Sequence, residues 1–211
     1  MEINWYGHAC FRLKDRNITV VCDPYDKLIG LTLPRLKADV VTVSHDAPGH
    51  SYVDGVKEYR QVFTGPGEYE VEGIFITGIA TFHGKNDAGE TEPNTIFLIE
   101  FPDLTVCHLG DLGHVLTEAQ VEAMPDIDVL IVPVGGRHTL DATTAAEVIS
   151  IIEPAIVIPM HYLMEDTPGH LDPVERFLKE MGIPAPEPIS VLKISKSQLP
   201  EETQVVLMDP K

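Results

Sequence analysis

Two short segments, VLIVPV at 129–134 and AIVIPM at 155–160, are apolar at every position. Side chains of a β-strand point alternately to opposite faces, so a strand with no polar alternation must be covered on both faces of its sheet. Helical patterns follow these segments, at 141–153 and 172–182. Strands that alternate with helices in this way are typical of a parallel sheet with helices packed against it.

The first half of the chain has a different rhythm and is predicted to be rich in β-structure. Its expected strands are 2–6, 9–14, 18–22, 39–44, 61–64, 68–72, 74–80 and 94–100. Later strands are expected at 104–110, 128–134, 155–160, 189–195 and 203–208, with a first helix at 117–124. Thr117 and Asp141 have the side chains that helix N-caps prefer, and Gln120 completes a capping box with Thr117.

No proline- or serine-rich linker separates the two halves, so we expect them to share one core. The prediction is a single domain over residues 1–211, with an α+β fold in which two sheets pack face to face and helices lie outside. This arrangement is a four-layer αβ/βα sandwich.

Composition limits the partners that the chain can have. Lys and Arg total 15 against 33 Asp and Glu, a formal charge of −18 that repels a polyphosphate backbone, so nucleic acid is not expected. No apolar run is long enough to cross a bilayer, and the first residues do not resemble a secretion signal, so we expect no membrane partner and a cytoplasmic location. Cys10, Cys22 and Cys107 form no metal-binding pair and are expected to be buried free thiols. The sequence does not indicate an oligomeric state.

Four predicted strands end in a residue that can bind a metal: His45, His83, Asp111 and His161. A single histidine in such a place is usually structural, but repetition at four strand ends favours a metal site. Imidazole and carboxylate donors without cysteine suit zinc, iron or manganese. The sequence has no phosphate-binding glycine loop, no H-E-x-x-H helix and no G-x-S-x-G elbow, although a Ser-His-Asp triad stays open.

Taken together, these segments resemble the metallo-β-lactamase superfamily, and within it the branch of metal-dependent hydrolases that includes L-ascorbate-6-phosphate lactonase. The similarity extends over nearly the whole chain. The segments that carry it are WYGHACFRL at 5–13, DPYD at 23–26, VTVSHDAPGH at 41–50, GIATFH at 78–83, CHLGDLGH at 107–114, VPVGG at 132–136 and IVIPMHY at 156–162.

The resemblance implies a binuclear site for Zn²⁺ (or Mn²⁺/Fe²⁺) in the cleft between the sheets; with the two departures described below, we expect one or two ions. His45 and His83 would bind the first ion, His50 and His161 the second, and Asp111 would bridge them. A water shared by the ions would become acidic enough to act as a hydroxide nucleophile, and the expected reaction is hydrolysis.

This chain departs from the family's His-x-His-x-Asp-His motif at two positions. Ala47 stands where the motif has its second histidine, and Gly49 stands where it has its aspartate. Neither side chain can bind a metal, and Gly49 cannot orient a water. Asp46 could replace the lost aspartate only if the loop is rebuilt. We therefore expect a weakened or mononuclear site and reduced hydrolysis.

Two further histidines are candidates for a catalytic role beside Asp111. His8 lies in a segment typical of the branch and is expected near the cleft, as support for a ligand or as a substrate contact; a packed structural role is the open alternative. His114 is expected to orient Asp111 or to line the mouth of the cleft.

Arg137 and His138 follow a glycine pair that lets a loop approach the cleft, and they are candidate substrate contacts. Asp23 either accepts a hydrogen bond from a ligand histidine or begins a turn before Pro24. His108 is expected to be structural and His170 to lie on the surface.

The resulting hypothesis is a metal-dependent hydrolase of a small, anionic ester, lactone or phosphoester. The alternative is a non-catalytic binding or sensing protein of the same fold. Intact His50, Asp111 and His161 favour the hydrolase, whereas Ala47 and Gly49 favour the alternative. The sequence does not identify the substrate, because this fold supports many reactions.

Overall fold

Two β-sheets pack face to face in the computed structural model, which describes residues 1–85, 88–165 and 171–211. In chain order the strands are β1 (Glu2–Trp5), β2 (Phe11–Asp15), β3 (Ile18–Cys22), β4 (Leu36–Lys37), β5 (Val40–Thr42), β6 (Val56–Lys57), β7 (Gln61–Phe63), β8 (Gly67–Val71), β9 (Ile74–Phe82), β10 (Pro93–Glu100), β11 (Thr105–His108), β12 (Val129–Pro133), β13 (Ile156–Met160), β14 (Leu192–Lys193) and β15 (Gln204–Val205). The first sheet has the order β14-β1-β2-β3-β5-β7, and the second has the order β15-β13-β12-β11-β10-β9-β8. Strands β4 and β6 form a separate pair.

Strands β12 and β13 lie inside the second sheet and are buried along their whole length. Val129 and Ile131 face the first sheet, where they join a core that contains Trp5 and Phe11. Leu130 points the other way, into a second core beneath the helices. The apolar pattern of these strands is thus explained by burial on both faces.

Three α-helices are described: α1 (Glu118–Glu122), α2 (Ala142–Ile152) and α3 (Val174–Glu180). As predicted, Thr117 caps α1 with a capping box, and the Asp141 side chain accepts from the Thr144 N–H at the start of α2. Helices α2 and α3 bury Val148 and Phe177 against the outer face of the second sheet.

The outer face of the first sheet has a thinner cover. Its apolar cluster, which includes Val21, Val41 and Tyr25, lies beneath the segment 24–60. The helices described in that segment are two 3₁₀ turns, Lys27–Ile29 and Val53–Gly55. The α+β sandwich prediction is confirmed, with 3₁₀ turns and the β4–β6 pair as the layer outside the first sheet.

Most predicted strands lie where the sequence placed them, but the last two are much shorter. The segments predicted at 189–195 and 203–208 pair only at Leu192–Lys193 and Gln204–Val205, apart from a single bridge between Ile189 and Met208. Both are edge strands, which have one neighbour and therefore less pairing to maintain a long ladder. The prediction for His170 lies outside the described residues.

The strand directions bring the predicted ligands to one end of the sandwich. Strands β11, β12 and β13 are parallel, so the loops after them, with Asp111, Arg137 and His161, leave the same edge of the second sheet. Strand β9 is antiparallel to β10, which is antiparallel to β11, so His83 also follows a strand that ends there. In the first sheet β3 and β5 are parallel, and His45 follows β5.

Cys10, Cys22 and Cys107 are buried and free, as predicted. Among the described residues, no helix has the length and apolar character needed to cross a membrane.

Candidate metal centre

The carboxylate of Asp111 lies among three imidazoles at the end of the sandwich. Its Oδ2 is 3.2 Å from Nε2 of His50, 3.4 Å from Nε2 of His161 and 3.9 Å from Nε2 of His45. Two donors on one tetrahedral zinc stand about 3.3–3.4 Å apart, given metal–ligand bonds of about 2.0–2.1 Å. The first two separations therefore match those of ligands that share one ion.

His83 completes the set of predicted ligands, with its ring centroid 4.2 Å from that of His45. Three buried atoms of the cluster lack a hydrogen-bond partner among the described residues: Nε2 of His83, Oδ1 of Asp111 and Nδ1 of His161. Buried polar atoms are rarely left without a partner, because desolvation without compensation is unfavourable. Their presence in one cluster fits a site built to bind a cation.

The donors form two groups, within each of which all donor atoms lie within 4.8 Å of one another. One group is His45, His83 and Asp111, as the resemblance implies. The other is His8, His50 and His161. The structure thus places an imidazole nitrogen of His8 within 4.8 Å of the donor atoms of His50 and His161.

His50 is held by a buried carboxylate. Its Nδ1 is 2.8 Å from Oδ2 of Asp23, which is fully buried and also accepts hydrogen bonds from the backbone N–H and hydroxyl of Ser44. The Ser44 hydroxyl also lies 3.0 Å from Nδ1 of His45. Of the two alternatives for Asp23, the structure favours contact with a candidate ligand histidine over a simple turn.

Asp111 is positioned by Asn94, a residue that the sequence did not single out. The Asn94 side chain accepts from the Asp111 N–H at 2.9 Å and donates to the Leu109 carbonyl and the Thr81 hydroxyl. Gly110, with φ of 55°, makes this possible, since a Cβ there would lie 2.5 Å from Oδ1 of Asn94. Asn94 lies within β10, so no strand-end pattern could have marked it.

Backbone strain is concentrated at the site. Of the eight non-glycine residues described with positive φ, four surround the cluster: His8, Asp23, Arg137 and His161. A positive φ is unfavourable for residues with a Cβ and persists where the surrounding structure enforces it. This concentration supports a functional role for the region.

The charges around His50 and Asp111 act on each other strongly. Burial alone lowers the pKa of His50, but Asp111 and Asp23 on either side raise that pKa to about 10. Burial raises the pKa of Asp111, yet His161, His50 and His45 hold it well below its usual value. Burial, with the nearby His50, lowers the pKa of His45 to about 4. At pH 7 Asp111 is therefore ionised and His45 neutral, the forms that bind metals, whereas His50 is protonated without a metal and would have to release a proton to bind one.

The cluster opens into a cavity of about 480 Å³. Arg137 and His138 line it, together with apolar residues that include Leu28 and Leu171; that the first two contact a substrate stays a prediction. Ala47 and Gly49 also line it and contribute no donor atom. Asp46 does not replace them, because it is exposed and accepts a hydrogen bond from Ser51.

His114 is not brought to this cavity, and the expectation that it orients Asp111 or lines the mouth is wrong. Its Nδ1 bonds the Val115 carbonyl at 2.8 Å, and its Nε2 accepts from the Phe82 N–H at 3.3 Å. Both nitrogens thus contact backbone groups, one of them at the end of β9. His108 is structural, as expected, with Nε2 2.9 Å from the Ala9 carbonyl.

The chain is similar to known proteins over most of its length. The sequence profile described as beta-lactamase superfamily domain matches residues 2–161. A UPF0173 protein of Pyrococcus furiosus is 30% identical, over 86% of this chain and 90% of its own. A UPF0173 metal-dependent hydrolase of Thermoplasma acidophilum is 29% identical, over 77% of this chain and 83% of its own.

Among solved structures, one from Thermotoga maritima, assigned as a Zn-dependent hydrolase of the metallo-β-lactamase superfamily, is 42% identical. It has a TM-score of 0.81 and covers 98% of this chain and 97% of its own. The narrower resemblance to L-ascorbate-6-phosphate lactonase stays a prediction. The profile match over most of the chain, with these relatives, shows that the chain belongs to the metallo-β-lactamase superfamily.

Proposed function

We propose that the chain is a metal-dependent hydrolase of a small anionic ester, lactone or phosphoester. The observation that carries this proposal is the convergence on Asp111 Oδ2 of imidazole nitrogens from His45, His50 and His161, beside an open cavity. The relatives named metal-dependent hydrolases support the same reaction class.

The residues that would hold the metal are His45, His83 and Asp111 at one position, and His50, His161 and Asp111 at the other. The partnerless buried atoms of the cluster support this assignment. Nitrogen and oxygen donors without thiolate suit Zn²⁺, with Mn²⁺ or Fe²⁺ as alternatives. When bound, such an ion makes a water nucleophilic at neutral pH and polarises a carbonyl or phosphoryl oxygen.

The cavity indicates the size and charge of the substrate. A volume of about 480 Å³ lies within the range of small-molecule sites, roughly 300–1,000 Å³. Arg137 contributes a guanidinium to the lining of the cavity and forms no ion pair with a described residue, so its charge is available to an anionic group. The apolar lining residues Leu28, Ile29 and Leu171 could contact the substrate's carbon skeleton.

The alternative, a binding or sensing protein, is favoured by one observation. Ala47 and Gly49 line the cavity at the positions where the resemblance expects a metal ligand and a water-orienting carboxylate. A chain that binds metal without turning over substrates would fit this alternative.

The two functions are separated by measuring metal content and turnover on the same preparations. The purified chain is loaded with Zn²⁺, Mn²⁺ or Fe²⁺ and assayed with nitrophenyl esters, aliphatic lactones and bis(nitrophenyl) phosphate. We expect chelator-sensitive hydrolysis that falls to background in Asp111→Asn and persists in His114→Ala, whose histidine lies away from the cavity. Metal binding without turnover of any of these substrates would contradict the hydrolase and support the alternative.

A further inference from the structure

The space beside Gly49 is filled by the side chain of His8. A Cβ built on Gly49 would lie 2.5 Å from Nε2 of His8 and 3.1 Å from its Cδ2. Real Cβ atoms do not approach another atom so closely, so any larger residue at position 49 would displace the imidazole. The His8 ring can therefore occupy this space only because residue 49 has no side chain.

The same imidazole belongs to a group of metal-binding donors. Its ring centroid is 4.2 Å from that of His161 and 4.9 Å from that of His50, and one donor atom of each lies within 4.8 Å of the others. The His8 side chain makes no hydrogen bond with a described residue. An imidazole in this cavity without such a bond is available to a cation.

The backbone around His8 is fixed in the conformation that aims the ring at the cluster. His8 has a φ of 51°, and its carbonyl accepts from the Trp5 indole at 3.0 Å and from the His161 N–H at 3.2 Å. The second bond joins the backbones of two members of the group. Strain at His8 is thus maintained by the loop that carries His161.

We propose that His8 is a metal ligand that replaces the side chain missing at position 49. One metal position would then be held by His8, His50, His161 and Asp111, and the other by His45, His83 and Asp111 alone. The first position has the larger donor set, so we infer that it binds its ion more tightly. This inference rests on the metal-dependent site of the proposed function and concerns binding, not turnover.

The test measures Zn²⁺ affinity by chelator competition and metal content by elemental analysis, in a set of matched variants. His8→Gly removes the imidazole and keeps a residue that tolerates positive φ. Gly49→Ala leaves His8 in the sequence but places a methyl group where its ring lies; Gly49 itself does not have positive φ, so alanine suits the backbone. His114→Ala is the control for loss of a histidine away from the cavity, and circular dichroism checks that each variant folds.

We expect His8→Gly to weaken the tighter site by more than about 100-fold, beyond the roughly 10–100-fold typical of losing a residue that only supports a ligand. Gly49→Ala should also weaken it, and the double variant should be no weaker than His8→Gly, because both changes remove one interaction. His8→Gly with Gly49→Asp should recover affinity through the new carboxylate.

Wild-type affinity in folded His8→Gly would overturn the inference, as would a wild-type chain that binds no metal. Additive losses in the double variant would also overturn it, since they would mean that residues 8 and 49 act independently. Normal metal binding that depends on His8, without hydrolysis of any substrate, would sink the proposed function and leave His8 as a ligand.

Discussion

Oδ2 of Asp23 lies 2.8 Å from Nδ1 of His50, and both side chains are almost completely buried. The carboxylate holds the Nδ1 proton, so Nε2, which faces Asp111, is the atom that would bind a metal once its own proton is released. Asp23, which follows the strand that ends at Cys22, thus controls the protonation of a candidate ligand 27 residues further along the chain. This pair links the first sheet to the chemistry of the cavity.

Replacing Asp23 with Asn should therefore weaken metal binding without removing a ligand. Asp23 accepts hydrogen bonds on both oxygens, from Ser44 and from His50, whereas an amide has one acceptor oxygen. We expect the Zn²⁺ affinity to fall by roughly 10–100-fold, as measured by chelator competition. Asp141→Asn, which alters a carboxylate at a distant helix cap, is the matched control. Equal affinity in Asp23→Asn and Asp141→Asn would show that the carboxylate does not support His50.

The stability of the metal-free protein should depend on the protonation of His50. The pKa of His50 is raised from 6.5 to about 10 by Asp111 and Asp23, so the folded state holds a proton that the unfolded state has released above pH 6.5. The free energy of unfolding should decrease as pH rises from 6.5 to about 10, because the stabilisation is complete below 6.5 and lost through about 10. Urea unfolding at a series of pH values measures this decrease. In His50→Gln the free energy of unfolding should decrease less over the same pH range. An unchanged decrease would mean that other groups cause the pH dependence.

Much of the fold follows from patterns that act locally. The strands β12 and β13 were predictable because unbroken apolar sequence leaves no face that water could contact. The convergence of the candidate ligands His45, His83, Asp111 and His161 was predictable because each follows a strand end, and the sheets bring those ends together.

The contacts of the remaining site residues depend on backbone geometry that the sequence does not display. His8 reaches the space beside Gly49 through a left-handed backbone conformation for which its residue type gives no clear signal. His114 has the right neighbourhood in sequence, but its ring turns to the backbone at Phe82 and Val115. A strand-end rule finds residues near a site and cannot decide the direction in which each one points.

Gly110 should be essential for the position of Asp111. Its φ is 55°, and a Cβ would lie 2.5 Å from Oδ1 of Asn94 and 2.5 Å from Cβ of Ser44. We expect Gly110→Ala to lower the free energy of unfolding by more than the strain from positive φ alone, about 1–3 kcal/mol, and to weaken metal binding. Gly73→Ala isolates the strain, because Gly73 also has positive φ, 83°, but nothing lies within 4 Å of its Cβ position. Denaturant unfolding compares the two; an equal loss in both variants would mean that Asn94 and Ser44 can yield to the methyl group.

Arg137 should select for the charge of the substrate. It lines the cavity and has positive φ, 64°, so glycine can replace it without backbone strain, although glycine also loosens the loop. If the guanidinium binds an anionic group, Arg137→Gly should raise KM for an anionic ester by about tenfold or more, because one charge-assisted hydrogen bond is lost. The KM for a neutral ester of the same size should change little. Arg137→Lys should fall between the two, because an ammonium keeps the charge and loses the paired donor geometry. Steady-state kinetics with the matched pair of esters measures these changes. An equal rise in KM for both esters would show that residue 137 shapes the loop rather than recognises charge.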